Sequence, residues 1–178
     1  VCGCGIGGIL GLNDEEDRLV FTEIPALRDK RVKCLAAGPS HSLALTPEGA
    51  LFSWGIGVAG KLGHRNEESL WEPQQVRALR EEKVLSVACG EKHTLACTAT
   101  GKLFAWGRGI LGRLGHGDGE DSFEPRQVMA LKDTLILKVY ATSDGTLCTD
   151  DTGRCFVFGD SEEGQLGTGD GLTFWEPV

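Results

Sequence analysis

A period of 52 residues runs through this chain and limits its fold more than any other feature. Residues 32–79 and 84–131 superpose at that offset without a gap and are identical at 24 of 48 positions. The matches include His41/His93, Gly49/Gly101, Trp54-Gly55/Trp106-Gly107, Leu62-Gly63-His64/Leu114-Gly115-His116 and Pro73/Pro125. The same step carries Gly101 to Gly153, Trp106 to Phe158, Leu114-Gly115 to Leu166-Gly167 and Pro125 to Pro177. Backwards, it carries Trp54-Gly55 to Cys2-Gly3 and Leu62-Gly63 to Leu10-Gly11. A unit of this length cannot bury both its faces alone, so neighbouring units must stack and share their cores.

Within a unit the pattern is β. Residues 84–89 form a short apolar run that stops at Gly90, and residues 93–98 form another. Ala99-Thr100-Gly101 then reads as a hairpin connection into Lys102-Leu103-Phe104-Ala105-Trp106, because a short loop ending in Gly suits a hairpin. A Gly-rich excursion over residues 107–119 leads to a fourth strand near Pro125, which suits a strand's start or edge. No segment carries a strong 3.6-residue apolar period, and 26 glycines in 178 residues work against long helices. Four short strands per unit predict an all-β partial propeller of about three four-stranded blades. Its units run over 32–83 and 84–135, with partial units at 1–31 and 136–178, in one propeller segment. Such a segment cannot close a ring, so the rest of the propeller is expected from the same chain, of which this is a piece, or from another copy.

Gly38–His64 and Gly90–His116 both spell Gly-x-x-His-[Ser/Thr]-Leu-Ala, then Gly-x-Leu-Phe-x-Trp-Gly-x-Gly-x-x-Gly-[Lys/Arg]-Leu-Gly-His. This string resembles the regulator of chromosome condensation repeat, and the resemblance covers essentially the whole chain. It implies a β-propeller, typically of about seven blades. Gly38, His41, Trp54, Gly55, Gly90, His93, Trp106 and Gly107 are its structural positions here. The third copy departs from the pattern, with Thr142, Gly145, Phe158 and Asp160-Ser161 at motif positions, so irregularity is expected near residues 141–145.

The chemical motifs read as architecture. Gly-x-Gly-x-x-Gly occurs at Gly3, Gly55 and Gly107, once per unit, whereas a dinucleotide site needs one copy opening a helix. The histidines, His41, His64, His93 and His116, fall at two repeated phases on different blades. They are expected to cap strand backbone rather than converge on a metal. Cys89, Cys97, Cys148 and Cys155 align with Ala or Leu and are expected in the core. No residue reads as catalytic, and neither a metal nor a cofactor is expected.

Lys and Arg total 18 and Asp and Glu 26, a net charge of −8, which disfavours nucleic acid and anionic membranes as partners. Seven cysteines, an odd count, and no apparent secretory signal point to an intracellular protein of cytoplasm or nucleus.

One phase reads as surface. Between Leu-Gly and Pro each unit carries an acidic loop: Asp14, Glu15 and Glu16; Glu67 and Glu68; Asp118, Glu120 and Asp121; and Asp170 in the last. Leu19, Trp71, Phe123 and Trp175 follow at a common phase. Equivalent loops should share a rim, so the carboxylates are expected to form an acidic arc for a protein partner with a basic surface. Trp71, Phe123 and Trp175 are the expected aromatic anchors, and packing between blades is their plainer role. The function expected is a non-enzymatic protein-interaction platform. The family resemblance implies two alternatives: exchange or regulation of a small, Ran-like GTPase, and ultraviolet sensing through clustered tryptophans.

Overall fold

The computed structural model describes residues 1–169 and 171–178. It is an all-β partial propeller. Strands β1 (Cys34–Ala37), β2 (His41–Leu45), β3 (Leu51–Gly55) and β4 (Leu70–Gln75) form the first antiparallel sheet, in that order. Strands β5 (Val84–Cys89), β6 (His93–Thr98), β7 (Leu103–Gly107) and β8 (Ser122–Gln127) form the second. The third contains β9 (Ile136–Ala141), β10 (Gly145–Asp150) and β11 (Cys155–Gly159). A single bridge, Gly159 to Phe174, marks the place of its fourth strand, and the equivalent bridge Gly3 to Arg18 marks the partial unit at the start. The helical elements among the described residues are six single 3-10 turns.

Register repeats with the sequence. His41 pairs with Gly55 and His93 with Gly107, and Gly145 and Gly159 pair in the same way. The turn at residues 142–145, expected to be irregular, closes like its counterparts. Gly38 and Gly90 donate to His41 and His93 carbonyls, and Thr142 donates to Gly145. The Thr142 hydroxyl also accepts the Gly145 N–H at 2.9 Å, so a side chain completes the turn that glycine forms elsewhere.

The core lies between sheets. Leu43, Leu45 and Leu51 of the first sheet pack with Val84, Val87, Ala96 and Trp106 of the second. Leu95, Cys97 and Leu103 pack with Ile136, Val139, Cys148 and Phe158 of the third. Each fully buried Leu contributes about 1.5–3 kcal/mol, so the joint between blades supplies much of the stability. Cys97 and Cys148 are buried as expected, but Cys155 is exposed. Leu51 and Leu103, at its phase, are covered by the following sheet, and no described sheet follows β11.

Candidate functional site

Antiparallel alternation sends the β1–β2 turns and β3–β4 loops of every blade to one end of the molecule. The loops over residues 4–17, 56–69 and 108–121 therefore share a face. Each opens with a 3-10 turn, Ile6–Gly8, Val58–Gly60 or Ile110–Gly112, whose first N–H groups lack backbone partners. Side chains, all but one of them acidic, supply them. Gly5 and Gly109 donate to Asp17 and Asp121 at 2.9 and 2.8 Å, and Gly57 to the Ser69 hydroxyl at 3.2 Å. Gly7 donates to Glu15 at 3.0 Å and Ala59 to Glu67 at 2.8 Å. Asp14, Asn66 and Asp118 each accept the N–H two residues on, at 3.0–3.2 Å, as Asx turns do. Asp14 also pairs with Arg18 at 2.5 Å and Asp118 with Arg126 at 2.9 Å. Burial pushes the Asp118 carboxyl up, but Arg126 and the Glu120 N–H outweigh it and hold it below its ordinary value.

The acidic arc thus divides. Glu15, Glu67 and Asp121, though exposed, accept N–H groups of their own loops, and Asp14 and Asp118 are tied to turns and arginines. Glu16, Glu68 and Glu120 occupy one phase and are exposed; Glu16 meets Arg18 only at 3.5 Å. Asp170, expected in the last loop, lies outside the described residues.

The aromatics sit on this face at the joints. The Trp71 ring lies on Gly8 of the preceding unit, where an added Cβ would stand 2.5 Å from Trp71 Cδ1. Phe123 lies likewise on Gly60; the Trp175 ring lies on Gly119, and Gly112 meets the Phe174–Trp175 backbone. Backbone clamps the same contacts: Asn13, Arg65 and Gly117 donate to the Trp71, Phe123 and Trp175 carbonyls at 2.9 Å. Each ring packs on one side and stays 41–44% exposed on the other, while Leu19, at their phase, is 97% exposed. Ile6, Val58 and Ile110, at the start of the 3-10 turns, are exposed apolar residues on the same face that sequence reasoning missed.

His41 and His93 hold blades together instead of capping strand backbone, whereas His116 does meet the backbone of its own blade. His41 Nε2 lies 2.8 Å from the Thr94 hydroxyl of the next blade, which donates to the Lys61 carbonyl at 2.7 Å. His93, Thr146 and the Arg113 carbonyl repeat this at 3.1 and 2.8 Å. Burial, reinforced by Lys61 and by His93, pushes His41 down to about 3; burial and Arg113 do the same to His93. Ser42, Thr94 and Thr146 share one phase, so a hydroxyl in every copy was the available signal for this latch. Trp54 and Trp106 are buried at the joints, against Gly11 and Gly63. Gly55 and Gly107 end their strands at φ 107° and 109°.

Beside the rim, Glu68 lines an open groove of about 410 Å³ with His64, Arg65, Leu70 and Arg77. A counterpart of about 310 Å³ lies one blade on, lined by His116, Arg126, Met129 and Glu176. His64 is tied to the Ser53 hydroxyl at 2.9 Å and His116 to the Ala105 carbonyl at 3.2 Å. Among the described residues, no three His, Cys, Asp or Glu side chains are grouped to hold a metal ion.

The family model for the regulator of chromosome condensation (RCC1) repeat matches residues 1–45, 48–97 and 100–149. Its breaks fall at the hairpins, so the match over 48–97 joins β3 and β4 of one blade to β5 and β6 of the next. The chain is 37% identical over 171 residues to the E3 ubiquitin-protein ligase HERC2 of Mus musculus, covering 94% of this chain and 4% of that protein. It is 36% identical over 171 residues to the ultraviolet-B receptor UVR8 of Arabidopsis thaliana, covering 96% and 39%. Among solved structures, human WBSCR16 superposes with a TM-score of 0.90 at 23% identity, covering 99% of this chain and 46% of that one. Prp20p from Saccharomyces cerevisiae, described for its binding to Gsp1p and histones, superposes at 0.84 and 23%, covering 99% and 45%. The chain spans less than half the length of each of these proteins, and the two superpositions establish the shared propeller fold.

Proposed function

Because the chain belongs to the regulator of chromosome condensation repeat family, we propose that it works as a non-enzymatic protein-interaction platform whose rim loops hold a partner with a basic surface. One observation carries this reading. Glu16, Glu68 and Glu120 are exposed at one phase of three successive loops, on the face where Trp71, Phe123 and Trp175 are half-exposed. Rigid loops lose little entropy on binding, so the acids already held by backbone N–H groups act as scaffolding for those that face outward. The arc attracts cationic surfaces, and nucleic acid is not its partner.

The platform acts inside the cell, in cytoplasm or nucleus. Seven free cysteines suit a reducing compartment, and among the described residues no helix is long and apolar enough to cross a membrane. Further units of the same chain or another copy would complete the ring, a reading that the exposure of Leu19 supports.

The test is retention of purified core histones, a basic probe, on the immobilised chain at about 0.15 M salt. A Glu16→Lys/Glu68→Lys/Glu120→Lys variant that stays folded should lose retention; unchanged retention removes the reading. A second reading, regulation of a small GTPase, draws on the fold shared with Prp20p and its described binding to Gsp1p. It requires faster release of a fluorescent guanine nucleotide from a Ran-type GTPase at micromolar chain, and no acceleration rejects it. An ultraviolet sensor has less support, since Trp54 and Trp106 are buried as joint packing.

A further inference from the structure

We propose that the rim is a track for an amphipathic, basic segment of the partner protein, in which aliphatic side chains cover Ile6, Val58 and Ile110 while Lys or Arg side chains face Glu16, Glu68 and Glu120. This rests on the platform reading and gives its partner a chemistry. Ile6, Val58 and Ile110 are the first residues of three equivalent 3-10 turns and are 68%, 50% and 43% exposed. Nothing in the core demands apolar side chains there, and the fourth unit carries Glu162 at this phase.

The three groups of each joint are held close by backbone. A Cβ added to Gly5 or Gly57 would stand 2.5 Å from the carbonyl carbon of Glu16 or Glu68, so the two arms of each loop touch where the carboxylate begins. The next residue along is the aliphatic one. Two residues further lies Gly8 or Gly60, which carries the Trp71 or Phe123 ring, or Gly112, which meets the Trp175 Cα while the Trp175 ring lies on Gly119. Each joint therefore presents an aliphatic group, an aromatic face and a carboxylate, and the set recurs at three successive joints. Exposed apolar surface is covered favourably by apolar groups, and the carboxylates select a cationic neighbour over an acidic one. They also repel an anionic lipid surface.

The test uses two synthetic peptides of equal length and charge, one alternating Lys with Leu and one alternating Lys with Ser, titrated onto the whole chain by fluorescence anisotropy. The Lys/Leu peptide should bind about tenfold tighter or better, and Ile6→Ser/Val58→Ser/Ile110→Ser should erase that advantage while leaving Lys/Ser binding in place. Equal binding of the two peptides, with both lost on reversal of the three glutamates, leaves the platform reading standing and overturns the track. Binding of neither overturns both. Self-association of the chain that the serine variant abolishes, with no discrimination between peptides, assigns the row to a second copy and also overturns the track.

Discussion

His41 and Thr94 join two blades through one hydroxyl: Thr94 gives its only hydrogen to the Lys61 carbonyl, so it must accept the proton on His41 Nε2. Burial keeps the histidine neutral, so its one ring proton is the one on Nε2. Its bare Nδ1 is buried without a hydrogen-bond partner, as is that of His93.

Thr94→Val keeps the shape of the side chain and removes both bonds, leaving a buried carbonyl and a buried imidazole N–H unpaired. Stability to urea should fall by about 2–4 kcal/mol, and Thr94→Ser should recover most of it. A loss below about 0.5 kcal/mol in Thr94→Val would show that the latch is decorative.

Acid should open the same joints. His41 and His93 titrate near 3 in the folded chain against 6.5 ordinarily, so between those values the unfolded chain binds more protons. Their contribution is intact above pH 6.5 and is lost as pH falls toward 3. At pH 5 each should cost about 2 kcal/mol relative to pH 7.5. Urea midpoints measured from pH 4 to 8 should slope downward with acid, and His41→Gln should roughly halve the slope.

Two glycines at one phase should respond differently to a methyl group. Gly60 (φ 72°) lies against Phe123, where a Cβ would meet Phe123 Cα at 2.5 Å. Gly164 (φ 75°) has nothing within 4 Å. Gly164→Ala should cost only backbone strain, about 1 kcal/mol, and Gly60→Ala about 2–4 kcal/mol. Thermal melts of the two variants compare them directly.

Glu67 and Glu68 are neighbours, of which only Glu67 accepts a backbone N–H. Glu67→Ala removes the acceptor of the Ala59 N–H and should lower stability by about 1 kcal/mol. Glu68→Ala should leave stability within about 0.5 kcal/mol and reduce capture of a basic partner instead. Paired melts and binding titrations separate the two roles.

The period, the strand order and the face that carries the loops are legible in the sequence, because each follows from local properties. Alternating apolar residues, glycines at turns and a constant 52-residue step act over a few residues at a time, and antiparallel pairing then places equivalent loops together. Trp71, Phe123 and Trp175 could be assigned one phase, but not that each rests on the glycine of another unit while exposing its far side. Which carboxylates hold backbone N–H groups was decided only by the folded chain. Glu15 and Glu67 are spent on N–H groups that a 3-10 turn leaves bare, and Glu16 and Glu68, one residue on, are not. The histidine latch and the exposure of Cys155 depend likewise on what the next blade places opposite them. Composition and spacing describe a chain along its length, whereas hydrogen-bond partners and burial are set by neighbours about fifty residues away.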